Sequence, residues 1–102
     1  MIVVRNVFRL KFGKTREAVA SMKEGMAIQK RVIGDKVNFS TRLLTDATGP
    51  FYTLVFEITL PNMAALEAEM PRIFSDKDFQ ANYRKTTEFV ESGYREIFTI
   101  VE

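Results

Sequence analysis

The sequence predicts an α+β domain whose elements follow the order βαββαβ. Three observations predict it. Apolar and polar residues alternate in four separate stretches, apolar residues recur at helical spacing in the two stretches between them, and glycine, proline or asparagine separates the segments. With 102 residues, of which 46% are apolar, the chain is long enough to bury one core, and we expect a single domain over residues 1–102.

The first part of the chain predicts a strand followed by a helix. Alternate residues are apolar between Ile2 and Phe12, and Gly13 ends this strand. One face of the strand carries Ile2, Val4, Asn6, Phe8, Leu10 and Phe12. Thr15 is a suitable N-cap for a helix that Gly34 ends. The apolar stripe of this helix contains Val19, Met22, Met26 and Ile33.

Two strands joined by a tight turn are predicted in the middle of the chain. Alternation over residues 36–45 predicts the second strand, and alternation over residues 51–60 predicts the third. The turn between them contains Gly49 and Pro50, which favour a hairpin. One face of the third strand carries Tyr52, Leu54, Phe56, Ile58 and Leu60.

A second helical region and a last strand complete the order. Asn62 is predicted to cap a helix that Pro71 breaks or kinks, because proline lacks a backbone donor and its ring clashes with the preceding turn. Residues 75–78 resemble a new capping box, and the helix that they start is predicted to end at Gly93. The stripe of this last helix contains Phe79, Tyr83, Thr86 and Val90. Residues 94–101 alternate again and predict the last strand.

This order predicts a ferredoxin-like sheet with one covered and one uncovered face. Right-handed crossovers give a four-stranded antiparallel sheet with all helices on the face that includes Val4 and Phe8. The other face is predicted to carry Val3, Val7, Phe51, Val55, Ile97 and Val101. Leaving six apolar side chains in water would forgo several kcal/mol of hydrophobic stabilisation, at roughly 25 cal/mol per Å² of buried apolar surface. We therefore expect a homodimer in which two copies pack through this sheet face.

The composition excludes several kinds of chemistry. The chain has no cysteine and no histidine, which excludes thiolate nucleophiles and zinc–thiolate sites and removes the commonest general base. No phosphate-binding, dinucleotide-binding or serine-nucleophile motif occurs. No apolar run approaches the roughly 18 residues of a membrane helix, and no signal peptide is recognisable. We expect a cytoplasmic protein without a membrane segment, a metal or a cofactor.

Four short segments carry a family resemblance: residues 3–10 leading to Gly13-Lys14, the aromatic residue in the third strand, Phe79 after Ser75-Asp76, and residues 91–97. In these segments and in its order of elements, the chain resembles the dimeric α/β barrel superfamily. That superfamily includes NIPSNAP-like proteins, antibiotic-biosynthesis-type monooxygenases and haem-degrading monooxygenases. The resemblance implies ferredoxin-like subunits paired as a dimeric α/β barrel.

The haem-degrading branch gives the most specific comparison. Its members keep a pocket asparagine seven residues before a turn glycine, which is the spacing from Asn6 to Gly13 here. Their axial histidine corresponds to Tyr83, and their pocket tryptophan corresponds to Phe56. Tyrosine can ligate haem iron, but two of the three signature residues are replaced. The resemblance therefore argues against haem degradation.

Five residues form the predicted ligand site: Asn6, Phe8, Tyr52, Phe56 and Tyr83. Asn6 is an amide on an otherwise apolar strand face, where an unpaired buried amide costs about 1–3 kcal/mol. It either orients a ligand or is satisfied by a neighbouring backbone group or a helix end. Tyr83 is expected to point toward the sheet, and its hydroxyl either donates to a ligand or reaches water. The other three aromatic residues either line the same cleft or fill the core.

The leading functional hypothesis is a small dimer that binds an apolar or aromatic metabolite in a cleft between sheet and helices. The first alternative is a cofactor-independent monooxygenase or isomerase, whose substrate activates itself and whose site needs neither histidine nor cysteine. Glu57 is its candidate base, as the only strand carboxylate near the middle of the sheet. The second alternative is a structural or regulatory dimer.

RNA-recognition domains share this order of elements but stack bases on exposed aromatic residues of the first and third strands. The corresponding positions here are Val3, Phe51 and Thr53, of which one is aromatic. No nucleic-acid partner is therefore expected.

Overall fold

The computed structural model describes all residues, 1–102, and has the predicted α+β architecture. Its elements are β1 (Ile2–Leu10), α1 (Thr15–Ile33), β2 (Ser40–Thr45), β3 (Thr53–Leu60), α2 (Met63–Ser75), α3 (Lys77–Thr87) and β4 (Val90–Thr99). The ferredoxin-like order is confirmed, with the second helical region divided between α2 and α3. None of the helices combines the length and the apolar character needed to cross a membrane.

The four strands form one antiparallel sheet in the order β2-β3-β1-β4. In this register Asn6 of β1 lies opposite Phe56 of β3 and opposite Arg95 of β4. Because directly opposed residues share a face of the sheet, the side chains of all three lie on one side. That side is the one that the helices cover.

The core lies between the helices and the two central strands. Its buried apolar residues include Ile2, Val4, Leu54, Phe56, Ile58, Leu60, Leu66, Ile73 and Phe79. The members from β1 and β3 belong to the alternating sets that predicted these two strands. The prediction of which face of β1 and β3 the helices cover is therefore confirmed.

Small residues bring α1 close to α3, whereas Met22 and Met26 of the predicted stripe are only half-buried. A Cβ atom on Gly25 would lie 2.5 Å from Oδ1 of Asn82. Asn82 is itself buried, and its Nδ2 donates to the carbonyl of Ser21 at 2.9 Å. The contact between the two helices therefore requires a glycine at position 25.

The helix ends differ in part from their predictions. The N-cap of α1 is Lys14 and not Thr15, and no side chain makes a capping hydrogen bond there. Of the two outcomes predicted for Pro71, a break or a kink, the break does not occur, since α2 continues beyond it to Ser75. The missing proline N–H costs one hydrogen bond, while the part of α2 beyond Pro71 contributes the buried Ile73, which is 4% exposed, to the core.

The second and third strands start later than predicted. β2 begins at Ser40 and not at residue 36. β3 begins at Thr53, because Tyr52 has a φ of 60°, in the left-handed region that interrupts a strand. The strand alternation therefore does not extend to Tyr52.

The last helix is shorter and the last strand longer than predicted. α3 ends at Thr87 and β4 begins at Val90, so Gly93 lies inside a strand and does not end a helix. Gly93 is opposite Phe8, and a Cβ atom on it would lie 2.7 Å from Cδ1 of the Phe8 ring. This glycine leaves room for the ring.

The sheet face away from the helices, called the open face below, differs in part from its prediction. Its apolar residues are Val3, Val7, Leu44, Val55, Tyr94 and Phe98. Ile97, predicted on this face, lies opposite Val4 and faces the helices. Phe51 and Val101 lie outside the strands. Both alternating sets of β4 contain apolar residues, so alternation alone did not determine which set the helices cover.

Candidate functional site

A cavity of about 560 Å³ lies between the helix-covered face of the sheet and the three helices. Strands β1, β3 and β4 contribute one side, and all three helices contribute the other. Its lining is mostly apolar and includes Val4, Phe56, Leu66, Met70 and Phe79. The volume lies within the roughly 300–1,000 Å³ that is typical of small-molecule sites.

Four of the five predicted site residues line this cavity: Asn6, Phe8, Phe56 and Tyr83. Tyr52 does not. Its ring packs against Phe12, with centroids 4.9 Å apart, beside a separate small cluster around Leu10. The structure therefore brings four of the residues together, and their role in binding stays a prediction.

Tyr83 lines the cavity and is 55% exposed, so part of its ring is in contact with water. Its ring centroid is 6.2 Å from that of Phe79 and 6.4 Å from that of Phe74. The Phe74 and Phe79 rings meet edge to face at 5.4 Å. These three rings, which all line the cavity, form a continuous aromatic wall.

Asn6 is paired with an arginine that the sequence analysis missed. Nε of Arg95 donates to Oδ1 of Asn6 at 2.7 Å, so the partner is neither a backbone group nor a helix end. Both side chains line the cavity. Sequence analysis missed Arg95 because it placed Ile97 on the open face, and residues two apart in a strand share a face. The available signal was the polar Asn6 itself, since an amide on an apolar face needs a polar partner on the adjacent strand.

The other charged residue that lines the cavity, Glu69, is already neutralised. It is 7% exposed and accepts two hydrogen bonds from Nη1 of Arg72, at 2.7 and 3.0 Å. Nη2 of Arg72 also donates to the carbonyl of Val32 at 2.9 Å, which holds the arginine in place. Arg95, in contrast, forms no ion pair within the chain. It is the one unneutralised charge that lines the cavity.

Glu57, the candidate base, lies on the open face and not in the cavity. Nη2 of Arg42 donates to its Oε1 at 2.6 Å, and Nε of Arg5 donates to its Oε2 at 2.8 Å. Nη1 of Arg5 also donates to Glu96 at 3.0 Å. The hydrogen bond from Arg42 is the largest influence on the pKa of Glu57, and with Arg5 it lowers this pKa although burial acts in the opposite direction. Glu57 is therefore ionised at neutral pH and does not serve the cavity as a base.

Stability is expected to fall as the pH decreases through the pKa of folded Glu57. This pKa lies below the ordinary 4.5, so the unfolded chain takes up the proton first. The contribution is complete above pH 4.5 and is lost as the pH falls through the folded pKa. Asp76 acts in the same sense, because the backbone N–H of Phe79 donates to it at 3.0 Å and is the main cause that lowers its pKa.

Thermal melts of the native chain and of Glu57→Gln between about pH 3 and 6 check this expectation. The variant should lose part of the acid-induced decrease in Tm, and Asp76→Asn should remove a further part. Identical pH profiles for the native chain and Glu57→Gln would contradict the assignment.

Several solved structures share this fold. A NIPSNAP domain protein from Burkholderia xenovorans matches with a TM-score of 0.85 and 19% identity, over 99% of this chain and 95% of that one. A NIPSNAP family protein from Agrobacterium tumefaciens matches with a TM-score of 0.80 and 20% identity, over 96% of this chain and 90% of that one. A putative antibiotic biosynthesis monooxygenase from Nitrosomonas europaea matches with a TM-score of 0.76 and 14% identity, over 100% of both chains.

At such low identity these likenesses establish the fold alone, and they agree with the superfamily that the sequence resembles. No protein-family model matches the chain, and no curated protein matches it.

Proposed function

We propose that each subunit binds a small apolar or aromatic molecule in the cavity between sheet and helices. The observation that carries the proposal is the cavity itself, which has a volume of about 560 Å³ and a mostly apolar lining. The space is a half-open cleft, and concave, mostly apolar clefts of this size are the usual form of a small-molecule site.

The aromatic wall indicates the class of ligand. The rings of Phe74, Phe79 and Tyr83 meet at edge-to-face or tilted angles, and Phe74 and Tyr83 are 44% and 55% exposed. Partly exposed rings at the rim of an apolar cavity offer large contact surfaces with specific geometry to a flat ring. A planar hydrophobic molecule fits this wall better than a strongly hydrated one.

Filling the cavity is expected to abolish binding. Gln29 lines the cavity from α1 and its side chain makes no hydrogen bond within the chain, so Gln29→Phe should occupy the space without breaking a polar contact. The neutral fluorescent probe N-phenyl-1-naphthylamine should bind the native chain and brighten, and should bind the variant at least about tenfold more weakly.

The matched control is Lys23→Phe, on the exposed side of the same helix and outside the cavity. It should bind the probe as the native chain does. Equal binding by the native chain and Gln29→Phe would contradict the location of the site, and no binding by the native chain would contradict the proposal.

A second copy of the chain is the proposed partner of the open face. Tyr94 and Phe98 are 61% and 49% exposed there, beside the four aliphatic residues of the same face. At the centre of the face the carboxylates of Glu57 and Glu96 are paired with Arg5 and Arg42, so these charges would enter an interface already compensated. Because two cations pair with two anions, the centre of the face carries no net charge that would repel a second copy.

A cofactor-independent monooxygenase remains a candidate for the same cavity. It is supported by the fold shared with the putative antibiotic biosynthesis monooxygenase from Nitrosomonas europaea. Its test is the consumption of dissolved oxygen in the presence of a quinol, compared with the rate of the quinol alone. A rate that does not depend on the protein would leave binding as the function of the cavity.

A further inference from the structure

We propose that the ligand of the cavity is an apolar molecule that carries one anionic oxygen group, such as a carboxylate, and that Arg95 and Asn6 bind this group. The inference rests on the proposed function, since it requires a ligand in the cavity. To the proposed function it adds that the ligand is an anion, and it names the two residues that bind the anionic group.

The orientation of Asn6 is determined by its partner. Nε of an arginine can only donate, so the atom of Asn6 that lies 2.7 Å from it must be the carbonyl oxygen Oδ1. The amide group Nδ2 is then left without a partner in the chain, and it can only donate as well. The pair therefore offers the cavity unused donors from both residues: Nδ2 of Asn6 and the terminal guanidinium nitrogens of Arg95.

The charge of Arg95 is not compensated. The hydrogen bond to Asn6 is with a neutral group, and no carboxylate of the chain lies within ion-pair distance. Glu69, the only carboxylate that lines the cavity, is engaged by Arg72. Arg95 is itself exposed, so its charge lies where the mostly apolar cavity opens to solvent. There it favours an anion over a neutral or cationic molecule.

The register also places the guanidinium beside Asn6. Asn6 and Arg95 are directly opposite in adjacent strands, and the hydrogen bond to Asn6 occupies Nε, which leaves the terminal nitrogens free to meet a ligand. A planar guanidinium matches a carboxylate, which accepts two parallel hydrogen bonds. A ligand with its ring against the aromatic wall and its acid group toward β4 would use both features of the cavity.

The test uses two ligands that share a ring system and differ in charge, 2-naphthoate and 2-naphthamide, in competition with N-phenyl-1-naphthylamine at pH 7 and low salt. The native chain should bind 2-naphthoate about tenfold more tightly than 2-naphthamide, as expected for a charge-assisted hydrogen bond at a partly exposed site. Arg95→Gln should reduce this ratio to about one, because the charge that distinguishes the two ligands is gone.

The matched control is Arg84→Gln, which removes the same charge from an exposed position of α3 that does not line the cavity. It should keep the preference for the anion. A native chain that binds the neutral probe but shows no preference for 2-naphthoate overturns this inference and leaves the proposed function intact. A preference that survives in Arg95→Gln also overturns it, and a native chain that binds none of the three compounds overturns both.

Discussion

Replacing Phe98 by glutamate is expected to convert the proposed dimer into folded monomers. Phe98 lies on the open face, opposite Val3, and is 49% exposed in the single chain. Because the side chain is half in water before association, its replacement should change the stability of the monomer little. In the proposed dimer, the loss of a buried aromatic residue and the burial of a new carboxylate should raise the dissociation constant about 100-fold or more.

Sedimentation at micromolar concentration measures this effect. The native chain should sediment at twice the 11.7 kDa chain mass and Phe98→Glu at the chain mass, with unchanged circular dichroism. Val101→Glu is the matched control, since Val101 is 95% exposed and lies beyond the end of β4. A native chain that sediments as a monomer, or a Phe98→Glu variant that remains dimeric, would contradict packing through the open face.

Gly25→Val is expected to be among the most destabilising substitutions in α1. Even a Cβ atom at this position would lie 2.5 Å from Oδ1 of Asn82, and valine adds two methyl groups. Either α1 and α3 separate, or Asn82 moves and gives up its buried hydrogen bond to the Ser21 carbonyl. Overpacking and the loss of that bond together should lower the free energy of unfolding by about 2–4 kcal/mol, measured by urea denaturation.

Two further variants separate the contact from helix propensity. Ala20→Val places the same side chain at an exposed position of α1 and should cost roughly 0.5 kcal/mol. In the Asn82→Ala background, Gly25→Val should cost clearly less than in the native chain, because the clashing amide is absent. Additive effects of the two substitutions would contradict a direct contact between positions 25 and 82.

The order of elements could be predicted because local signals agree with the tertiary structure. The alternation in β1 and β3 identifies the strands and their buried faces, since both strands lie at the centre of the sheet, where one face must be covered. Asn62 was predicted to cap a helix, and its side chain accepts a hydrogen bond from the N–H of Ala65 at 2.9 Å. These features depend on residues that are near in sequence.

The sequence did not show which face of the edge strand β4 is covered by the helices. Its two alternating sets, one containing Ile97 and the other containing Phe98, are both mixtures of apolar and polar residues. Which set faces the helices is determined by its register with β1, where a shift occurs between Arg9 and Leu10. That register depends on long-range pairing, which the sequence pattern does not give, so Ile97 was placed on the open face and Arg95 was missed.

The candidate site was predicted in part for the same reason. Asn6, Phe8 and Phe56 lie in central strands whose faces the alternation determines, and all three line the cavity. Tyr52 was assigned by extending the alternation of β3 beyond its first residue, Thr53, to a residue with positive φ. The contact of Gly25 with Asn82 joins residues of different helices, and no pattern within either helix predicts it.

The central claim is that the cavity between sheet and helices receives the ligand, and the methionines of the chain test it directly. Met22 and Met70 line the cavity, whereas Met1 and Met63 are 50% and 43% exposed outside it. In a chain with ¹³C-labelled methionine methyl groups, titration with N-phenyl-1-naphthylamine should shift the signals of Met22 and Met70 through the ring current of the probe. The signals of Met1 and Met63 should not move. Saturable shifts at Met1 or Met63, with Met22 and Met70 unchanged, would contradict the claim.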